Sequence, residues 1–345
     1  MLKINDIGEK ILQFIPRRDK KSYVFGLDIG SCNIKLVKID MLNSDAVVSA
    51  LGTRQIKNQD IKAALGELLA AAGIESRSVN VGLSGKEVLT RCIMLPDMNE
   101  SEFKNSMKYE AAKHIPFPVN EVVLDSAILK HNLEGNKMLV LIAAVKKDFV
   151  QRRLDLISGL GLEVNVLDID SVALTNIFNF LDTQQNKEMS AVLNIGARIS
   201  NLSLLDSGSL RFNRDILFGS ADITNRISVK LGIGYDEAEK IKVSYDEIAE
   251  AREPVESLLA ELVGELRLSF DYYESNTGRA VNCAYLTGGG SLLGGIDKFM
   301  SRAMGIDFKI WNPFDHLKIS DNADKENCAK TGPCFAVAAG LALRK

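Results

Sequence analysis

The sequence predicts a two-lobed α/β fold, and three glycine-marked turns predict it. Residues 25–40 read FGLDIGSCNIKLVKID, residues 192–206 read VLNIGARISNLSLLD, and residues 285–295 read YLTGGGSLLGG. Placing Asp28 on Asn194 brings Ile29, Gly30, Leu36 and Asp40 onto Ile195, Gly196, Leu202 and Asp206, so the first two stretches read as one hairpin used twice. Each opens with an apolar, β-prone run and resumes apolar positions after its glycine, the pattern of strand, turn and strand with a buried face. Successive backbone N–H groups in such a turn hold an anion where no Cβ blocks its approach, and Gly30 and Gly196 supply that clearance. The third stretch reads as strand, glycine turn and helix. Its Leu292, Leu293, Ile296, Phe299 and Met300 recur at helical spacing, which favours a nucleotide lying across the turn with phosphate facing the amides and the helix N-terminus. A chain of 345 residues is long enough to build the two lobes that such a clasp needs.

The remaining elements follow in order. Residues 1–22 carry Ile4, Ile7, Ile11, Leu12, Phe14 and Ile15 at helical spacing, then the basic run Arg17, Arg18, Lys20 and Lys21. Charge interrupts the apolar face and no small-residue cleavage site follows, so this is not a secretory signal. Two readings remain, a peripheral membrane or partner helix, and a short helix packed on its own domain or left disordered. After the first hairpin, residues 61–74 have the composition of a helix, and 79–95 read as strand, glycine turn and strand. Asn99 precedes Glu102 at capping-box spacing, which predicts a helix over about 100–114 with Phe103, Met107 and Ala111 on one face, stopped by IPFP. Residues 122–129 and 137–145 are strand-like across an EGN turn, and 148–161 are again helical, so 89–161 reads as a β/α subdomain inserted into the first lobe. Residues 168–174, DIDSVAL, follow a strand and open an apolar helix. In 244–276 the stripe Leu258, Leu259, Leu262, Leu266 and Phe270 predicts a long amphipathic helix, with Ser269 and Tyr272 off the stripe. Residues 312–333 read as a breaker-rich surface loop, and 334–344 as a small-residue helix able to pack closely.

Composition narrows the function classes. A formal net charge of -3 gives no electrostatic case for a nucleic-acid partner. Cys32, Cys92, Cys283, Cys328 and Cys334 form no C-x-x-C pair and suit a reducing compartment. His114, His131 and His316 are too dispersed in sequence for a zinc site or a histidine triad, and no run reaches the roughly 20 apolar residues of a membrane span.

Three positions carry candidate chemistry. Asp28 stands where a carboxylate reaches a metal-bound water beside phosphates, whereas Asn194 at the equivalent place carries no charge. Asp170 either polarises an attacking water or, together with Ser171, caps the helix that it opens. Glu239 and Lys242 fall one turn apart on a helix and form either a surface ion pair or part of a binding element.

With these motifs in this order, the chain resembles the actin-like ATPase superfamily and, within it, the PilM family of type IV pilus assembly proteins, relatives of the division protein FtsA. The resemblance runs from about residue 23 to residue 343. It rests on GLDIGSCNIKLV, LPDMNESEFKNSMKYEAAKHIPFP, VLNIG, AEKIK, LTGGGSLLGGI and FAVAAGLALR. It implies a duplicated ribonuclease H-like fold: a first lobe over 23–186, a second over 187–318 with a helical subdomain at about 226–280, and a return to the first lobe over 319–345. It also implies ATP or ADP with Mg2+ bound between the lobes. Asp28, Gly30, Ser31, Asn33 and Lys35 would come from the first phosphate motif, and Asn194, Gly196 and Ala197 from the second. Glu239 would meet the ribose, Lys242 the adenine or ribose side, and Gly288, Gly289 and Gly290 the adenosine. The implied partner is the N-terminal cytoplasmic tail of the inner-membrane protein PilN, held beside the insert, where Met107, Tyr109, Ile115 and Phe117 offer apolar surface. The protein would then act at the inner face of the cytoplasmic membrane and couple that complex to pilus motor ATPases. Asparagine at position 194 implies slow or absent ATP turnover, since the hydrated magnesium ion loses one carboxylate. Two alternatives share the fold: a sugar or acetate kinase, and an FtsA-like division scaffold.

Overall fold

The computed structural model describes residues 24–42, 45–72, 78–181, 189–321 and 323–344. The expected amphipathic segment at 1–22 lies outside these residues. Strands β1 (Val24–Ile29) and β2 (Asn33–Leu42) form the first hairpin, and β3 (Asp45–Gln55) extends it. Helix α1 (Ile61–Ala71), capped by Asp60, crosses to β4 (Ser78–Leu83), which lies parallel to β1.

The insert leaves at β5 (Val88–Pro96), passes through α2 (Glu100–Ala112) and returns through β6 (Val122–Leu133) and β7 (Lys137–Lys146) as an antiparallel sheet of order β5-β7-β6. The Asn99 and Glu102 capping box is present, with both reciprocal hydrogen bonds made. β7 is buried on both faces, so its sequence is a continuous apolar run. Met138, Val140, Ile142 and Ala144 pack under α2, while Leu141, Ala143 and Val145 join the first-lobe core.

Helix α3 (Lys147–Ser158), β8 (Glu163–Ile169), which pairs parallel with β4, and α4 (Asp170–Leu181) complete the first lobe. The insert is narrower than the expected 89–161, because Val150 and Ile157 of α3 are buried in the lobe's own core.

The second lobe repeats this plan. It comprises β9 (Met189–Ile195), β10 (Ser200–Asp206), β11 (Ser209–Ile216), α5 (Ser220–Leu231), α6 (Tyr235–Val243), α7 (Ala249–Thr277), β12 (Cys283–Thr287), α8 (Ile296–Met304) and β13 (Asp307–Ile310). Its sheet runs β11-β10-β9-β12-β13, matching β3-β2-β1-β4-β8 position for position. Register is kept too: Asp28 faces Lys35 in the first hairpin, and Asn194 faces Asn201 in the second. The stripe on α7 is buried through Leu266; Ser269, expected off it, is also buried, because its hydroxyl receives a hydrogen bond from Arg214 and donates one to the Glu265 carbonyl.

Residues 312–333 are more ordered than the expected loop. Phe314 and Cys328 enter the core, β14 (Lys318–Ile319) adds to β3 of the first sheet, and α9 (Lys325–Thr331) follows. Helix α10 (Ala336–Ala342) then packs on α4 and β1. Its small residues are needed there: a Cβ on Gly340 would lie 2.2 Å from the Ala173 carbonyl oxygen, and one on Gly26 would lie 1.9 Å from that of Ala338. Between the lobes, Phe178 of α4 meets Tyr285 and Trp311 at ring separations of 5.0 and 5.2 Å. No helix among the described residues is long and apolar enough to cross a membrane.

Candidate functional site

The two hairpin turns face one cleft of about 650 Å³. Each glycine turn closes in the same way, because a Cβ on Gly30 would stand 2.9 Å from the Asn33 carbonyl oxygen and one on Gly196 would stand 2.5 Å from that of Ile199. The missing Cβ thus makes room for the hairpin's own backbone, a requirement that stands beside the clearance expected for an anion. The third motif differs as well. Gly288 has φ +83°, and its Cβ would strike Asn194 Oδ1 at 2.3 Å. The turn continues as a single 3-10 stretch over Gly289–Leu292, and α8 begins only at Ile296, so the turn is not itself the N-terminus of that helix.

The first-lobe wall is charged. Lys35 Nζ donates to Asp28 Oδ2 at 2.8 Å, and both side chains are largely removed from water. Burial alone would lower the Lys35 pKa, but the charge and hydrogen bond of Asp28 outweigh it and hold the ammonium above its ordinary value. Ser31 and Asn33 line the same wall. Asp170, the first residue of α4, reaches the cleft with Oδ1 lacking a hydrogen-bond partner, and Ser171 Oγ also lacks one. Neither atom caps the helix, which favours the cleft reading of Asp170. Burial first, and the neighbouring Asp28 charge second, push its pKa up to about 7. Asp168, two residues earlier, has a structural place: it is buried and ion-paired with Arg344 at 2.7 Å.

The opposite wall mixes amides with charged side chains, since Arg198, Asp215, Glu239 and Lys242 also line it. Asn194, Gly196 and Ala197 line it together with Asn201, whose Nδ2 donates to Asp215 Oδ1 at 2.7 Å. Glu239 and Lys242 stand on α6, joined at 2.6 Å, and Lys242 also donates to Thr224 Oγ1 at 2.9 Å. Their neighbours across the turn are Gly288, Gly289 and Gly290, so every residue expected to hold a nucleotide borders this one cleft.

The donor set suits a magnesium nucleotide in a particular way. Among the described residues no group of three His, Cys, Asp or Glu could hold a metal ion, so a magnesium ion here would depend on phosphate oxygens and water, with Asp28 as the nearby carboxylate. Arg153 of α3 and Asp215 of β11 also line the cleft and were not anticipated. The paired arginines in DFVQRRLDLISGLG were the available signal, but spacing alone does not say which of them turns inward. Asn201 was legible, since the hairpin alignment places it on Lys35.

The expected partner-binding residues divide. Met107 and Ile115 are only 6% and 8% exposed, buried in the core under α2, so they do not offer the surface expected of them. Tyr109 is 76% exposed, and Phe117 is half-buried beneath Lys146, whose Nζ lies 5.1 Å from the ring centroid. The cause is the α2 periodicity, which puts Met107 on the same face as Phe103 and Ala111.

The family model described as Type IV pilus assembly protein PilM matches residues 26–345. A solved PilM-PilN type IV pilus biogenesis complex superposes with a TM-score of 0.84 at 29% identity, covering 94% of this chain and 99% of that chain. The ethanolamine utilization protein EutJ from Carboxydothermus hydrogenoformans shares the fold at a TM-score of 0.55 and 15% identity, over 99% of this chain and 97% of that one. The cell division protein FtsA of Staphylococcus epidermidis is 24% identical over 265 residues, 66% of this chain. The chain spans 55% of the length of that relative.

Proposed function

The chain belongs to the Type IV pilus assembly protein PilM family and has the two-lobed actin-like fold, and we propose that it binds ATP or ADP with Mg2+ between its lobes and receives the N-terminal tail of PilN. One observation carries the nucleotide reading: hairpins of identical register, one from each lobe, meet a glycine turn around a single cleft. The superposition on a PilM-PilN complex supports PilN as partner. The proposal further puts the protein at the inner face of the cytoplasmic membrane, coupled to the pilus motor ATPases. Tail binding falls to the surface beside α2, where Tyr109 and the free edge of Phe117 are available.

Nucleotide acts here mainly as a conformational ligand. The second hairpin has Asn194 where a carboxylate would steady a hydrated magnesium ion, so turnover is slow or absent. The insert is tied to that same wall. Thr90 Oγ1 on β5 donates to Asn213 Oδ1 at 2.6 Å, and Asn213 Nδ2 in turn donates to Asn201 Oδ1 at 3.1 Å and to Ser203 Oγ at 2.9 Å. Cleft closure therefore reaches the tail-binding element through hydrogen bonds as well as through the lobe itself.

The kinase alternative needs a base and a shaped acceptor site; Asp170 supplies the first, but the family match favours an assembly protein. The FtsA alternative matches less of both chains than the PilM complex does. The test is titration of the full chain with a fluorescent ATP analogue and Mg2+, followed by a PilN tail peptide with and without ATP. Saturable nucleotide binding and a peptide affinity that changes with nucleotide are expected. A chain that binds the peptide identically in both conditions would remove the conformational role, and one that binds no nucleotide would remove the cleft assignment.

A further inference from the structure

Arg153 borders the cleft, yet none of the assignments above uses it. Its neighbour Arg152 also lies over the Phe149 ring, at 5.9 Å, but is exposed, pairs with Asp148 at 2.8 Å and does not line the cleft. Arg153 turns inward over Phe149, its guanidinium 5.3 Å from the ring centroid, and Phe149 lines the same cleft. The Arg153 Nε is closed off from solvent and has no hydrogen-bond partner among the described residues. A guanidinium N–H shut away from water without an acceptor is unfavourable, so it calls for a ligand that supplies one.

The surroundings define that ligand. Burial lowers the Arg153 pKa, while the charges of Asp170 and Asp28 raise it, which places the guanidinium at the Asp28 and Asp170 end of the cleft. Asp28 is already engaged by Lys35, and Asp170 Oδ1 has no partner of its own. Glu239, Lys242 and the three glycines occupy the second-lobe wall, the place proposed above for the nucleoside. A guanidinium is a planar fork of donors matched to phosphate oxygens, and it stays charged at physiological pH.

We propose that Arg153 is a nucleotide-binding residue whose guanidinium grips the terminal phosphate of a bound nucleoside triphosphate and so separates triphosphate from diphosphate. This rests on the nucleotide reading of the cleft. It also gives that reading a direction, because α3 starts where β7 of the insert ends, so the group holding the terminal phosphate sits on the helix that leaves the insert.

The experiment is calorimetric titration of the full chain and its Arg153→Gln and Arg153→Lys variants with Mg-ATP and with Mg-ADP. Arg153→Gln is expected to weaken ATP by roughly tenfold or more and ADP by less than about threefold, with Arg153→Lys in between, since it keeps the charge and loses the fork. Equal weakening of both nucleotides would assign Arg153 to the structure of the cleft and overturn the proposal, as would no change in either. If Arg153→Gln does not fold, Arg153→Lys decides alone: a loss confined to ATP supports the proposal, and equal affinities relative to wild type refute it. A wild-type chain that binds neither nucleotide removes the cleft reading together with this one, whereas wild-type binding that Arg153 variants leave unchanged removes this one only.

Discussion

The two hairpins share one backbone and carry opposite chemistry. Asp28 faces Lys35 in the first and Asn194 faces Asn201 in the second, at the same register and beside turns closed by the same glycine contact. The first wall adds Asp170 and Arg153, whereas in the second Asn201 lines the cleft and is tied behind it to Asn213, which also bonds Ser203. The duplication therefore kept the geometry that closes a cleft, while the facing charged pair stands in the first hairpin and a facing amide pair in the second. A charged pair answers to phosphate and metal, and a hydrogen-bonded amide pair can tie the cleft to its neighbours at a smaller desolvation cost than ions would carry.

The sharpest way to break this comparison is to make the first hairpin resemble the second. Asp28→Asn alone leaves the Lys35 ammonium largely buried without its counter-charge, and about 3 kcal/mol of stability is expected to be lost. Asp28→Asn combined with Lys35→Asn reproduces the amide pair of the second hairpin and is expected to recover all but about 1 kcal/mol, while binding of Mg-ATP stays lost. Urea denaturation measures both variants. A double variant as unstable as the single would show that the hairpins are not interchangeable scaffolds. The ion pair's contribution on the Lys35 side is full below the ordinary lysine pKa and is lost as pH rises through the elevated folded value.

Next in size are the glycine turns. A Cβ at position 196 meets the Ile199 carbonyl oxygen at 2.5 Å, a harder contact than the 2.9 Å at position 30. Gly196→Ala is expected to cost about 3 kcal/mol and Gly30→Ala about 1 kcal/mol. Equal costs would mean that the two turns relax alike and that the shared contact does not explain why each motif carries glycine.

These turns mark what the sequence makes legible. A glycine between two apolar strand patterns, repeated with the same spacing, fixes both hairpins, and the capping box at Asn99 fixes the start of α2. Periodicity failed where a pattern has two faces to choose between. It identified the stripe of Met107 on α2 but could not say that this stripe packs inward on the insert's sheet. It also left Arg152 and Arg153 equivalent, although one is solvated and the other faces the cleft. The order within 312–333 depends on Phe314 and Cys328 finding a core contributed by distant segments, and no local signal reports such a contact.

A smaller effect separates the ends of the fifth strands. β8 runs into Asp170, while β13 runs into Trp311, which is buried against Phe178 and has nothing to titrate near neutrality. The Asp170 pKa is raised to about 7, so its contribution to stability is full below the ordinary aspartate range and is lost as pH rises toward that value. Asp170→Asn removes this loss. The variant is expected to melt about a few degrees higher than wild type at pH 8, with the gap closing as pH falls through the range between about 7 and 4. A melting difference that stays constant with pH would mean that Asp170 does not titrate in the fold.

The smallest effect concerns the link between the insert and the second hairpin. Thr90→Val removes the donor to Asn213 while keeping shape, and Asn213 retains its bonds to Asn201 and Ser203, so the expected cost is only about 1 kcal/mol. Asn213→Ala removes the bonds to Thr90, Asn201, Ser203 and the Leu202 carbonyl and is expected to cost more, about 2 kcal/mol. The informative quantity is their double-mutant cycle, since Thr90 belongs to the insert and Asn213 to the second lobe. A coupling near 1 kcal/mol, accompanied by a smaller effect of ATP on affinity for the PilN tail, is expected if the amide network carries cleft closure to the insert. A coupling indistinguishable from zero would mean that the amide network does not carry closure, leaving the packing of β5 on β11 and the first-lobe core as the routes between cleft and insert.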